Sequence, residues 1–148
     1  MNLEIFEKFH DPYMHTPAGQ GAFLAGVLLG YMAYRQAGQE NDISQSPLFK
    51  QIQFGRMDTV SLKRLLSRVP ILLAAYREDM KYTGLLSQLS AAATEFLLQT
   101  GDQDLGVNGN FTFAAGFLNA VNYFWDLFPV SRDNKKTQAG KEEGYNGF

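Results

Sequence analysis

The sequence predicts an all-α fold, a helical bundle of five to six helices with a disordered C-terminal tail. Apolar residues recur at the three- and four-residue spacing of helix faces along most of the chain, and no segment is a convincing strand. Pro, Gly and capping residues mark short loops between these segments, and short loops between helices are typical of helical bundles. The 148 residues, 45% of them apolar, are enough for one domain with a buried core.

Two helices are predicted near the N-terminus, over residues 2–10 and from about residue 17 to Gln36, with a loop rich in Pro and Gly between them. Thr16 is the expected N-cap of the long helix and Gly38 its expected end. The long helix contains a G-x-x-x-G pattern at Gly26 and Gly30. Small residues at this spacing predict the close approach of a neighbouring helix.

The middle of the chain begins with a polar loop and a short helix from Pro47 to about residue 54. Asp58 or Thr59 is the expected cap of the next helix, which Pro70 should kink or split because proline lacks the backbone donor. Helix is expected to resume after Pro70 and to continue to about Lys81.

A further helix is predicted from Thr83 to Gln99, followed by a turn-rich loop over residues 101–110. Asn110 is the expected cap of an aromatic-rich helix that Pro129 closes. Residues 130–148 are polar, rich in Gly and without periodicity, which predicts a mobile tail. The expected organisation is therefore one helical domain over residues 1–129 and a flexible tail over residues 130–148.

The composition limits the possible compartments and functions. The chain contains no cysteine, which excludes disulfides and thiolate metal sites. Acidic residues interrupt the N-terminus, which therefore does not resemble a signal peptide. The longest apolar run, residues 22–34, is too short to span a bilayer as a helix. These features predict a cytoplasmic protein with no membrane contact.

Basic charge is concentrated in one part of an otherwise acidic chain. Residues 47–81, here called the basic segment, hold seven Lys and Arg against three acids, although the whole chain has a net charge of −2. Screening limits each charge to its surroundings, so such a segment attracts polyanions even on an acidic protein. The candidate nucleic-acid-binding residues are Lys50, Arg56, Lys63, Arg64, Arg68, Arg77 and Lys81, with Arg35 as a weaker candidate.

A helical wheel places Lys63, Arg64 and Arg68 on one face of residues 58–69, opposite the leucines. No acid lies three or four residues from Arg64 or Arg68, where it would pair with them within the helix. A solvated face normally mixes the two signs of charge. The pattern alone leaves both a phosphate-binding surface and an ordinary solvated helix face open, and we take the phosphate-binding surface as the hypothesis.

Other candidate sites are weaker. His10, Asp11 and His15 could belong to a metal-dependent hydrolase, but the further ligands that such a site needs are missing from the sequence. No phosphate loop, metalloprotease motif or nucleophile elbow occurs, so no catalytic residue, metal or cofactor is predicted.

The aromatic residues of the last helix could stack nucleobases, although their spacing is more typical of a core. Phe111 is expected to be buried with them. Asn119 and Asn122 are the polar exceptions and should mark an exposed or interface side of the same helix.

Three blocks of the sequence, FLAGVLLGYMAYRQ (23–36), SPLFKQIQFGRMDTVSLKRLL (46–66) and NFTFAAGFLNAVNYF (110–124), carry a resemblance. In order and spacing they resemble the C-terminal region of the large subunit of type I-B CRISPR Cascade complexes. The resemblance covers roughly residues 18–126 and contains no catalytic signature. The matching positions are Phe23, Gly26, Gln36, Pro47, Phe49, Lys50, Gly55, Arg56, Met57, Asp58, Phe111, Phe113 and Gly116.

The family's long N-terminal part has no counterpart here, so the chain looks like a small subunit produced separately from an internal start. The resemblance implies a non-catalytic subunit that contacts the backbone of target DNA and supports the displaced strand. The implied partners are the Cascade backbone and large subunits, the guide RNA with its target DNA, and further copies of this chain. A helical assembly subunit without nucleic-acid contact is the alternative.

Overall fold

The computed structural model describes residues 1–38, 42–75 and 80–129, and over these ranges the predicted all-α fold is confirmed. The described residues form no strand, and one isolated bridge pairs Asp58 with Asp104. The expected tail over residues 130–148 lies outside the described residues. The α-helices are α1 (Pro17–Ala37), α2 (Pro47–Gln51), α3 (Thr59–Ser67), α4 (Val69–Ala75), α5 (Thr83–Leu98), α6 (Gly106–Leu118) and α7 (Ala120–Leu127), with 3₁₀ segments at Leu3–Lys8, Pro12–His15 and Ile43–Gln45.

Helix α1 is the central element, packed by α5, α6 and α7. Its predicted cap is confirmed, because the Thr16 hydroxyl accepts a hydrogen bond from the Gly19 backbone N–H at 3.1 Å. Its predicted end is also confirmed, since Gly38 takes a φ of +64° that only glycine adopts readily. Every residue from 21 to 33 is buried, so the helix is apolar on all sides for a structural reason.

The crossing of α1 and α6 confirms the role predicted for the G-x-x-x-G pattern. A Cβ on Gly26 would collide with the Phe113 carbonyl oxygen, and one on Gly30 would collide with that of Phe117. The contact is reciprocal, because a Cβ on Gly116 would lie 2.7 Å from the Phe23 carbonyl oxygen. The two backbones therefore touch where neither helix has a side chain.

The expectation of an aromatic core is confirmed for most of the aromatic residues around α1. Phe113, Phe117 and Phe124 are fully buried, and the Phe124 ring stacks on Tyr31 with ring centroids 4.3 Å apart. The expectation for Phe111 is wrong: its side chain is 72% exposed. At 100° per residue, Phe111 lies on the far side of α6 from the glycine crossing, which sequence periodicity in an apolar helix could not indicate.

Two helical predictions are corrected in their type or extent. Residues 2–10 are not an α-helix but a short 3₁₀ segment, tied down by the Asn2 N–H, which donates to the Leu127 carbonyl at 2.7 Å. The helix that contains Pro70 is described over Val69–Ala75, and it does not continue to Lys81 as predicted, because Met80 and Lys81 are not helical. The break before Pro70 is confirmed, since α3 ends at Ser67 and α4 begins at Val69.

The aromatic-rich helix begins earlier than predicted and is divided in two. Asn110 is not its cap but lies within α6, and Asn119 separates α6 from α7. Gly109, predicted to lie in a turn, lies within α6, where close contacts leave no room for a side chain. A Cβ there would lie 2.5 Å from the Leu105 Cβ and 2.6 Å from the Tyr13 hydroxyl. Asn119 and Asn122 are exposed, as predicted.

Candidate nucleic-acid interface

The basic segment begins its main helix at a charged cap. Asp58, one of the two predicted caps, accepts a hydrogen bond from the Ser61 backbone N–H at 2.7 Å. The Ser61 backbone N–H and hydroxyl, followed by the charge of Arg64, hold the pKa of Asp58 below its ordinary value. Asp58 is thus a carboxylate that fixes the start of α3, beside the arginines that follow.

Three arginines of the basic segment line one surface groove of about 440 Å³, here called the arginine groove. Arg56 comes from the loop before α3, Arg64 from α3 and Arg68 from its C-terminus, and all three are exposed. The complete lining is Gln51, Gln53, Arg56, Met57, Ser61, Arg64, Leu65 and Arg68. The sequence predicted the three arginines as binding residues, but it did not indicate the glutamines or Ser61 as their neighbours.

The groove arginines are not held in ion pairs by acids of the described residues, although Asp58 is near enough to Arg64 for the two charges to interact. Within residues 1–38, 42–75 and 80–129, no ion pair with Arg56, Arg64 or Arg68 is formed. The Arg68 Nη1 donates to the Gln51 Oε1 at 3.1 Å, a bond to a neutral amide that leaves the guanidinium charge intact. Planar guanidinium groups match the geometry of phosphate oxygens.

Lys63 is not part of the arginine groove. Its Nζ forms an ion pair with the Asp102 Oδ1 at 3.1 Å, and Asp102 lies in the loop between α5 and α6. The helical wheel placed Lys63 on the same face as Arg64 and Arg68. In the structure the two arginines line the groove, whereas Lys63 pairs with Asp102 of a neighbouring loop. The acid that pairs with Lys63 is 39 residues away in the sequence, so local spacing could not indicate it.

The remaining candidates lie outside the groove lining. Lys50 is exposed in the last turn of α2, and Lys81 is exposed in the segment before α5. Arg35 is partly exposed in the last turn of α1. Arg77 lies outside the described residues. The structure therefore brings together three of the seven predicted basic residues in one groove.

A buried asparagine of α6 is hydrogen-bonded to a residue of the arginine groove. The Asn110 Oδ1 accepts a hydrogen bond from the Met57 N–H at 2.7 Å, and its Nδ2 donates to the Met57 carbonyl at 3.3 Å. Met57 lies between Arg56 and Asp58 and lines the groove. The sequence predicted Asn110 as a helix cap, and local spacing gave no indication of its burial or of its hydrogen-bond partner 53 residues away.

The histidines do not form a metal site with other described residues. The Asp11 carboxylate accepts from the Tyr13 N–H at 3.0 Å, and the His15 Nε2 lies 2.8 Å from the Phe9 carbonyl oxygen. In the part of the chain that the structure describes, no group of three His, Cys, Asp or Glu residues is placed to hold a metal ion.

None of the described helices has the length and apolar character needed to cross a bilayer.

A comparison with known protein families gives a match over most of the chain. The family model of the CRISPR-associated protein TM1802 (cas_TM1802) C-terminal domain matches residues 2–129. No curated protein and no solved structure gave a match to the chain. The matched range contains the described helices α1 to α7 and every residue that lines the arginine groove. The chain therefore belongs to the family of the C-terminal domain of CRISPR-associated protein TM1802, which confirms the relation to CRISPR Cascade expected from the sequence.

Proposed function

We propose that this chain is a non-catalytic small subunit of a type I-B CRISPR Cascade effector complex, and that it binds the backbone of target or displaced DNA and stabilises the R-loop. Family membership supports a role in a CRISPR complex. The observation that carries the finer proposal is the convergence of Arg56, Arg64 and Arg68 on one groove.

Backbone binding suits the chemistry of this groove. In a guide-dependent complex, base pairing reads the sequence, so a helper subunit needs only to hold phosphates. One guanidinium group can bind two oxygens of the same phosphate through two parallel hydrogen bonds. The two glutamines and Ser61 of the groove add neutral groups that can form hydrogen bonds to sugar or phosphate. Three groove cations predict weak binding by the isolated chain and stronger binding when several copies lie along one complex.

The test is target-DNA affinity of the complex, assembled by co-expression with the backbone subunits and a guide RNA, at two salt concentrations. The variant replaces Arg56, Arg64 and Arg68 with Gln. The slope of log affinity against log salt should fall by roughly 2 to 3, one phosphate contact for each arginine, and affinity at low salt should fall at least about tenfold. The mass of the complex gives the number of copies and shows whether the chain joins as a separate subunit.

A charge-matched control separates the groove from net charge. Replacing Lys135, Lys136 and Lys141 with Gln removes the same charge outside the described residues. This control should keep most of the affinity. An equal loss in both variants, or unchanged affinity in a folded arginine variant that still joins the complex, would contradict the proposed function.

A second candidate is a helical assembly subunit without direct nucleic-acid contact. The exposed face of α6 favours it, because Val107, Phe111 and Leu118 are 87%, 72% and 64% exposed and share one side of the helix. Replacing Phe111 and Leu118 with Ser would then remove the chain from the complex. In that case the arginine variant would leave DNA affinity unchanged.

A further inference from the structure

We propose that Asn110 is a positioning residue for the arginine groove: its buried side-chain amide holds the loop that carries Arg56 in the binding conformation. The inference rests on the proposed function of the groove. It adds to that function a residue outside the groove lining, on a different helix, whose role is to preorganise a cation without touching nucleic acid.

The hydrogen bonds of Asn110 are directed at one residue of the groove loop. The Asn110 Oδ1 accepts from the Met57 N–H at 2.7 Å, and the Nδ2 donates to the Met57 carbonyl at 3.3 Å. The second hydrogen of the Nδ2 bonds to the Gly106 carbonyl at 2.8 Å, which fixes the amide within the first turns of α6. Asn110 is 9% exposed and Met57 is 3% exposed, so water does not readily replace these bonds.

The pattern of donors and acceptors requires an amide. One oxygen must accept from an N–H while the nitrogen donates to two carbonyls, and among short side chains only asparagine supplies both. An aspartate would place an oxygen against the carbonyls of Met57 and Gly106, with no proton to share. An alanine would leave the buried backbone groups of Met57 without their partner.

The loop is fixed on its other side by the segment between α5 and α6. The buried Thr59 donates its backbone N–H to the Gln103 carbonyl at 3.0 Å, and its hydroxyl accepts from the Gln103 N–H at 2.9 Å. Met57 is therefore held by α6, and Thr59 is held by the loop that precedes α6. Arg56 directly precedes the pinned Met57, and its own N–H bonds to the Gln53 carbonyl at 3.0 Å.

The experiment compares Asn110→Ala and Asn110→Asp with Arg56→Gln in the assembled complex, with double-stranded target DNA as the probe. Each Asn110 variant should lose affinity by about as much as Arg56→Gln, about tenfold for a charge-assisted phosphate contact. The salt slope should fall by roughly 1. In the Arg56→Gln background, Asn110→Ala should add little, because the cation it positions is already absent.

The control is Thr112→Ala. Thr112 is a buried polar residue of the same helix, and its side chain forms no hydrogen bond to the groove loop. It should leave affinity and salt slope unchanged. If folded Asn110 variants keep the wild-type affinity while Arg56→Gln does not, the positioning role is overturned and the groove assignment stands. If Arg56→Gln itself has no effect on either affinity or slope, the proposed function fails first.

Hydrogen exchange of the unaltered chain provides a test that does not depend on the variants folding. The Met57 amide should be protected in the free chain to the degree of buried amides in α6, and DNA should not increase that protection. A Met57 amide that exchanges like an exposed loop, or that becomes protected only when DNA binds, would show that the loop is ordered by its ligand and would overturn the inference.

Discussion

At the scale of one residue, Asp58 both caps α3 and lies beside an arginine of the groove. Its carboxylate caps α3 through the Ser61 N–H, so the helix that carries Arg64 begins at a fixed point. The same carboxylate lies close enough to Arg64 for the guanidinium charge to contribute to its lowered pKa. The cap therefore stabilises the helix without neutralising the guanidinium in an ion pair.

Replacing Asp58 with Ala should lower the free energy of unfolding by about 1 kcal/mol at neutral pH, the usual effect of losing an N-cap. Because folding lowers the pKa of Asp58, the carboxylate contributes its full stability above the unfolded value of about 3.9, and that contribution is lost as pH falls through the lower folded value. Chemical denaturation at several pH values should therefore show the difference between wild type and variant shrinking only below about pH 4.

Asp58→Asn is the matched control for this prediction, since asparagine keeps the capping oxygen and loses the charge. It should retain most of the stability at neutral pH. A difference between wild type and Asp58→Ala that stayed constant down to the lowest pH would show that the charge of the cap contributes nothing.

The crossing of α1 and α6 is the main structural feature at the scale of elements. Carbonyl oxygens of α6 occupy the space where side chains at positions 26 and 30 would lie. The same crossing brings α6 into the core with Phe113 and Phe117 on its buried side and Asn110 turned towards the groove loop. The packing of α1 against α6 thus determines the position of Asn110 relative to the arginine groove.

Replacing Gly26 with Ala should destabilise the protein by about 1 to 3 kcal/mol, because the methyl group meets backbone that cannot rotate away. Gly84→Ala, in the first turn of α5, is the control. A Cβ there meets no atom within 4 Å, so this variant should be neutral or more stable by about 0.4 to 1 kcal/mol. Thermal unfolding of the two variants measures both effects, and equal destabilisation would mean that the helices do not cross at Gly26.

Phe111 and Phe113 provide a second comparison within α6. Phe111→Ser should change the free energy of unfolding by less than about 0.5 kcal/mol, because the ring is mostly exposed. Phe113→Ala should cost about 3 to 5 kcal/mol, because that ring is fully buried. Urea unfolding of the two variants checks the orientation of the helix, and a large loss in Phe111→Ser would mean that its exposed face is covered in the isolated chain.

At the scale of the whole molecule, charge is distributed unevenly over one helical body. The basic segment is positive although the chain has a net charge of −2. The Lys63–Asp102 pair lies on the boundary, where the loop between α5 and α6 brings an acid against the basic helix. The pair places a negative charge against Lys63, which is therefore not a free cation like the groove arginines.

Replacing Asp102 with Asn should raise the affinity of the isolated chain for double-stranded DNA by about two- to fivefold at low salt, because it frees the Lys63 ammonium and removes a nearby negative charge. Asp126→Asn removes the same charge from the exposed surface of α7 and should have a smaller effect. Fluorescence anisotropy with a labelled duplex measures both. An equal gain in the two variants would mean that only net charge matters, and no local pairing.

The sequence by itself determined the all-α class, the cap at Thr16 and the break at Pro70, and it narrowed the cap of the following helix to Asp58 or Thr59. These features depend on residues that interact within one or two helical turns, so local spacing reveals them. The G-x-x-x-G pattern also indicated a close helix contact, because a helical face without side chains permits little else.

Only the tertiary structure decided which basic residues meet. It placed Arg56 beside Arg64 and Arg68, turned Lys63 towards an acid 39 residues away, and joined Asn110 to Met57 across 53 residues. It also exposed Phe111, which periodicity in an aromatic helix could not distinguish from its buried neighbours. These relations depend on how helices pack and on where loops bring distant residues together, because contacts between distant residues leave no periodic trace in the local sequence.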